Sequence, residues 1–169
     1  MKKILVVHTN YQTLGGEDVA VDNEVELLKE NYEVETLYFS NNINQYLSQS
    51  ISFIFNRNKG SEKRLKKILS EFKPDIVYVH NTWFKASLGI FKLLKKYPVK
   101  VILKLHNFRY DCTRSFNTNI HLRNASVCNA CGQDKKSLGL FNKYYKESFI
   151  KSAFINSYGK KYFKILQNY

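Results

Sequence analysis

At 169 residues with 44% hydrophobic side chains, the chain can bury one core, which excludes a disordered or fibrous segment and gives one domain as the working count. Apolar runs such as Val99–Leu105 and Ile76–Val79 fall far short of the roughly 20 residues that a membrane-spanning helix needs. Met1-Lys2-Lys3-Ile4 leads straight into a strand-like run without a signal peptide, so a cytoplasmic protein is expected. The net charge of +13 is unevenly placed: residues 1–58 carry 4 basic and 8 acidic side chains, residues 59–104 carry 12 and 3, and residues 105–169 carry 11 and 3. Such asymmetry points to an anionic partner, whether phosphates, nucleic acid or the cytoplasmic face of a membrane, with a solvated lysine face as the alternative.

Taken in chain order, Lys3–His8 is a short, nearly continuous apolar run, as expected of a strand covered on both faces. A polar loop with glycines, Thr9 to Gly16, follows. From Glu17 the pattern turns helical, with Val21, Val25 and Leu28 on one stripe and Asp22, Glu24 and Glu26 facing elsewhere. Val34–Phe39 reads as a second strand. Asn41–Asn58 is a variable, partly helical stretch in which Phe53, Ile54 and Phe55 are expected to be exposed. Ser61 is placed to cap a basic helix running to Phe72, and Pro74 precedes a buried strand, Asp75–His80. Thr82 to Tyr97 shows helical spacing through Leu88, Phe91 and Leu94 until Pro98 stops it, and a last strand, Val99–Leu105, ends at His106. This alternation predicts a doubly wound, mainly parallel α/β sheet of Rossmann-like type with right-handed crossovers. After His106 the pattern lapses for about 30 residues into a cysteine-bearing loop, which at that length is functional or locally stapled. Helical periodicity returns from Ser137, and the aromatic, basic segment Tyr158–Tyr169 asks for a partner.

In open α/β sheets ligands bind outside the carboxyl ends of the strands. Three of those ends finish in histidine, His8, His80 and His106, and would converge on one edge of the sheet. Gly15-Gly16, between the first strand and first helix, suits the approach of a diphosphate to backbone N–H groups, although a simple tight turn fits equally and Glu17-Asp18 brings negative charge to the same point. Cys128-x-x-Cys131 has zinc-ligand spacing with Cys112 and His121 as further ligands, the alternative being free thiols, since a second such pair is missing. Lys63, Arg64, Lys66, Lys67, Lys92, Lys95, Lys96 and Lys104, with Trp83 and Phe84 nearby, would form a surface for anionic headgroups. No sequence module typical of nucleic-acid readers is evident, so a nucleic-acid partner is not expected.

The ordered set of His8, Tyr11 and Gly15-Gly16-Glu17-Asp18, then Pro74 through Thr82, then Leu105-His106-Asn107-Phe108-Arg109 and the cysteine loop, resembles the N-terminal domain of glycosyltransferase family 4 over nearly the whole chain. The resemblance implies the N-terminal half of a GT-B architecture, binding mainly a sugar or lipid-linked acceptor, with a nucleotide-sugar donor held by a second domain. It also implies retaining transfer without a required metal or other cofactor. By position, Gly15 and Gly16 would match the donor-diphosphate loop, and His106 the histidine near the transferred sugar. His8, Tyr11, His80, Asn81, Asn107 and Arg109 would line the acceptor side. Where related sequences carry a fourth cysteine, this chain has Tyr144. The donor half with its glutamates eight positions apart is not found in the sequence, so the chain is expected to be a truncated form that binds rather than turns over alone. Two rival expectations are a non-enzymatic Rossmann-like module for a nucleotide or anionic partner, and a zinc-stapled adaptor for nucleic acid or a membrane surface.

Overall fold

The apolar run that opens the chain becomes the middle of a sheet. The structure, a computed structural model, describes residues 1–11, 15–40, 55–83, 85–106 and 149–168. Four parallel strands, β1 (Lys3–Asn10), β2 (Glu33–Ser40), β3 (Ile76–Val79) and β4 (Lys100–Leu103), lie in the order β2-β1-β3-β4. Ile4 is in register with both Val34 and Ile76, and Ile76 with Lys100. Helices α1 (Gly16–Lys29), α2 (Lys59–Glu71) and α3 (Gly89–Leu94) connect them. The α/β class with a parallel sheet is therefore as expected.

Alternation along β1 divides the core. Ile4 and Val6 pack with Val21 and Val25 of α1, joined by Leu28, Val34, Tyr38, Ile76 and Tyr78. Leu5 and Val7 point to the other face and are fully buried, as are Leu65 of α2 and Ile90 of α3. Right-handed crossovers account for this: β1 to β2 steps one way and β2 to β3 steps back over β1, so α1 covers one face while α2 and α3 share the other. The winding reverses between β1 and β3.

Three sequence expectations change. The cap of α2 is Asn58, whose side chain accepts from the backbone N–H of Gly60 and Ser61. Ser61 lies inside the helix, buried, and its hydroxyl donates to the carbonyl of Lys85 at 2.6 Å, beside the Asn58 amide, which donates to the same carbonyl at 3.0 Å. Cap and tether thus meet at one place, so Asn58→Ala is expected to cost about 1–2 kcal/mol in chemical denaturation. Second, Thr82–Tyr97 is not one helix. Ser87 has φ 65 and its N–H donates to the carbonyl of Thr82, a turn that delays the helix to Gly89, and the helix then runs only to Leu94. Third, the strand bounds shift: β1 runs on past His8 to Asn10, while β3 and β4 stop at Val79 and Leu103, one and three residues before His80 and His106. At the end of α2, Lys73 turns left-handed with φ 52, closing the helix directly before Pro74.

The chain divides into two compact units, Met1–His106 and Asn107–Tyr169. In the second, helix α4 (Phe149–Leu166) carries Tyr158 and Tyr162, buried and stacked with ring centroids 6.3 Å apart. Among the described residues no helix is long and apolar enough to cross a membrane.

Candidate functional site

Because residues two apart on a strand share a face, Ile4, Val6 and His8 all point toward α1, as do Ile76, Tyr78 and His80. At the carboxyl ends of the strands the apolar pattern gives way to imidazoles. The His8 and His80 rings lie edge to face at 6.2 Å, and the His80 and His106 rings have centroids 5.2 Å apart with their planes inclined by 29°. His80 Nδ1 and His106 Nε2 share a hydrogen bond of 2.9 Å. The convergence expected from three strand ends is thus present. His8 and His80 are 1% and 4% exposed, whereas His106 is half-buried and is the one of the three with access to solvent.

Two carboxylates from α1 organise the cluster. Asp18, 3% exposed, accepts from His8 Nε2 at 2.8 Å, from Gly15 N at 2.9 Å and from Tyr11 N at 3.3 Å. Its position as the third residue of the helix, reaching back to the cap N–H, is one half of a capping box. Glu24 lies one turn and a half further on. It accepts from the Tyr78 hydroxyl at 2.9 Å and pairs with the Lys104 ammonium, and its Oε2 is 3.9 Å from His80 Nε2. Burial pushes the Glu24 carboxyl up, but the hydrogen bonds from Lys104 and Tyr78 outweigh it and hold the group below its usual value. Burial likewise lowers His80 to about 4, only partly offset by the charge of Glu24, and lowers His106. Burial and the bond to Glu24 push the Tyr78 phenol up. The result is an uncharged imidazole pair backed by an anionic carboxylate.

The other expected residues divide between this site and the rest of the unit. Tyr11 is half-buried at the cluster and its hydroxyl donates to Glu17 at 2.7 Å. Gly15 caps α1 in an extended conformation with φ −120, and its N–H is taken by Asp18, so that donor is not open to a phosphate. Gly16 has nothing within 4 Å of where a Cβ would stand, among the described residues. Asn81 is 5% exposed and joins two strand ends: its amide donates to the Thr9 carbonyl at 3.0 Å and its Oδ1 accepts from Trp83 N at 2.9 Å.

Lys63, Lys66, Lys67, Lys92, Lys95 and Lys96 are exposed on and just after α2 and α3, hence across the sheet from the histidines. Arg64 lies over the Phe39 ring at 4.9 Å and donates to the Tyr38 carbonyl, so it is engaged with the sheet. Lys104 belongs with the α1 face through Glu24 and is not part of that basic surface. Trp83 is half-buried in a turn, and Phe55 is 75% exposed as expected. Phe53, Ile54, Phe84, Asn107, Arg109, Cys112, His121, Cys128 and Cys131 lie outside the described residues, among which no three side chains are grouped to hold a metal.

Sequence reasoning misses Asp18 and Glu24 as members of the site. Asp18 carries a signal, an acidic residue three positions after a glycine cap. Glu24, between Val21 and Val25, stands at the border of the inward stripe and reads as outward-facing. Compared with protein-family models, with curated proteins and with solved structures, the chain matches none of them.

Proposed function

We propose that this chain is the acceptor-side domain of a glycosyltransferase resembling family 4, half of a GT-B enzyme that moves a sugar from a nucleotide-sugar to a cell-surface glycan or glycolipid. The observation that carries the reading is the meeting of His8, His80 and His106 at the carboxyl ends of β1, β3 and β4, where the winding reverses. Among the described residues nothing stands within 4 Å of where a Gly16 Cβ would be, which supports close approach of a ligand at the start of α1. The exposed lysines of α2 and α3 fit a peripheral position on anionic lipid. The cysteine loop adds zinc to this reading only as a structural staple, and the chemistry requires no metal: neutral imidazoles and backbone donors can position hydroxyls and stabilise a leaving diphosphate.

Titration of the isotope-labelled chain with UDP- and GDP-sugars, with the bare nucleotides and with anionic vesicles tests the proposal. Salt-sensitive vesicle binding, with nucleotide-sugars perturbing the amides of His8, Gly16, His80 and His106 weakly, is expected of an acceptor-side half. Tight binding of bare nucleotides would favour a nucleotide-binding module instead. Gly16→Ala serves as the probe of the loop: with nothing among the described residues within 4 Å of the added methyl group, it should shift stability by less than about 1 kcal/mol, and an unchanged sugar-nucleotide response would reduce Gly15-Gly16 to a turn.

A further inference from the structure

The contact between His80 and His106 has a direction, because one ring nitrogen must donate and the other accept. Neither hydrogen is seen, so the assignment follows from the surroundings. His80 is 4% exposed, and its Nε2 is buried without a hydrogen-bond partner. The nearest charge to that nitrogen is the Glu24 carboxylate, with Oε2 at 3.9 Å, beyond a hydrogen bond but close enough for its field to decide between tautomers in a buried setting. A lone pair on Nε2 would face the anion and be repelled; an N–H there is attracted. With the proton on Nε2, His80 Nδ1 carries the lone pair and accepts, so His106 Nε2 must donate. A neutral His106 holding its proton on Nε2 then has an acceptor lone pair at Nδ1. Of the three histidines it is also the solvent-accessible one.

We infer that the chain of contacts from Glu24 through His80 to His106 fixes His106 as a hydrogen-bond acceptor at Nδ1, making it a binding group for a ligand hydroxyl and not for an anion. Glu24 and His80 are positioning residues: neither needs to touch the ligand. The set is assembled from α1, the end of β3 and the end of β4. Lys104 and Tyr78 keep the carboxylate ionised and aimed, the first through its ion pair and the second through a 2.9 Å hydrogen bond. Burial keeps His80 uncharged at neutral pH, which preserves the directional chain. Glu17, Lys104 and His8 also act on His106 through their charge. The inference holds for any hydroxyl-bearing ligand and does not depend on the transferase reading.

The test is the 15N spectrum of the histidine side chains in the full chain at pH 7.5, which separates protonated from unprotonated ring nitrogens. Wild type should show His106 with the proton on Nε2 and His80 likewise on Nε2. In Glu24→Gln an amide N–H2 can take the place of Oε2, and both rings should switch to the Nδ1–H form. Lys104→Met, which removes the same ion pair but keeps the carboxylate, should leave both rings as in wild type. An Nδ1–H form of His106 in the wild-type chain overturns the inference, and so does a folded Glu24→Gln protein with unaltered tautomers. If Glu24→Gln does not fold, the wild-type and Lys104→Met spectra decide. Adding glucose as a neutral hydroxyl probe should move the His106 Nδ1 resonance, while inorganic phosphate should not; a response to phosphate alone would also overturn it.

Discussion

Replacing Asp18 by alanine is expected to lower the unfolding free energy by several kcal/mol, at roughly 1–3 kcal/mol for each buried donor left without its acceptor. The carboxylate is 3% exposed and accepts three hydrogen bonds, from His8 Nε2 and from the backbone N–H groups of Tyr11 and Gly15. Alanine strands those donors, two of them backbone groups, at about 1–3 kcal/mol for each that water cannot reach. His8 suffers most. Its Nδ1 is already buried without a partner, so losing Asp18 leaves the ring with no hydrogen bond at either nitrogen. Asp18→Asn keeps one acceptor oxygen and should lose roughly half as much. Urea denaturation of the two variants is the check, and a loss below about 1 kcal/mol for alanine would mean that Asp18 is not the clamp between β1 and α1.

Acidification gives the second large effect. His80 ionises near 4 in the folded chain against 6.5 for an ordinary histidine, first because it is buried and then because His106, His8 and Lys104 oppose a positive charge there; Glu24 only partly compensates. Below pH 6.5 the unfolded chain therefore takes up a proton that the folded chain refuses. The stabilisation is fully present above pH 6.5 and is lost as the pH falls toward 4, by on the order of 3 kcal/mol for His80, since a tenfold weaker hold on the proton corresponds to about 1.4 kcal/mol. His106 is displaced in the same direction and steepens the loss. Denaturation curves between pH 7.5 and 4.5 should show the decline, and His80→Gln should flatten it. An equal slope in wild type and variant would assign the decline to other groups.

What the sequence made legible follows from where physics is local. β1 is buried on both faces and so reads as an apolar run, and a histidine within two residues of the end of such a strand is placed at the carboxyl edge of the sheet whatever the neighbouring strands do. The three histidines could therefore be brought together before any contact was known. Asp18 and Glu24 could not, because their partners come from elsewhere: Glu24 is tied to Tyr78 and Lys104, 54 and 80 residues away. Along its own helix it looks like one more solvent-facing acid. The failed helix start at Thr82 has the opposite origin. Leu88, Phe91 and Leu94 do keep helical spacing, but the turn preceding them is set by Asn81 and Ser87, whose left-handed backbone no periodicity records. Asn58 escapes notice as a cap for a similar reason, since both it and Ser61 are good cap residues and the choice rests on the Lys85 carbonyl across the chain.

The place of β1 between β2 and β3 also sets an order of assembly. Its two neighbours arrive at different times as the chain is made: Ile4 meets Val34 across about 30 residues, but meets Ile76 across 72. Closing the longer loop costs roughly 0.8 kcal/mol more in chain entropy, so β1, α1 and β2 form the earlier unit on a growing polypeptide. Until residues 76–79 are made, the most deeply buried of the described strands presents a bare edge of backbone donors and acceptors, the kind of edge on which nascent chains pair with one another. The Lys3 N–H, which ends as a 2.7 Å donor to Asp75, is one of the groups held waiting for that later strand.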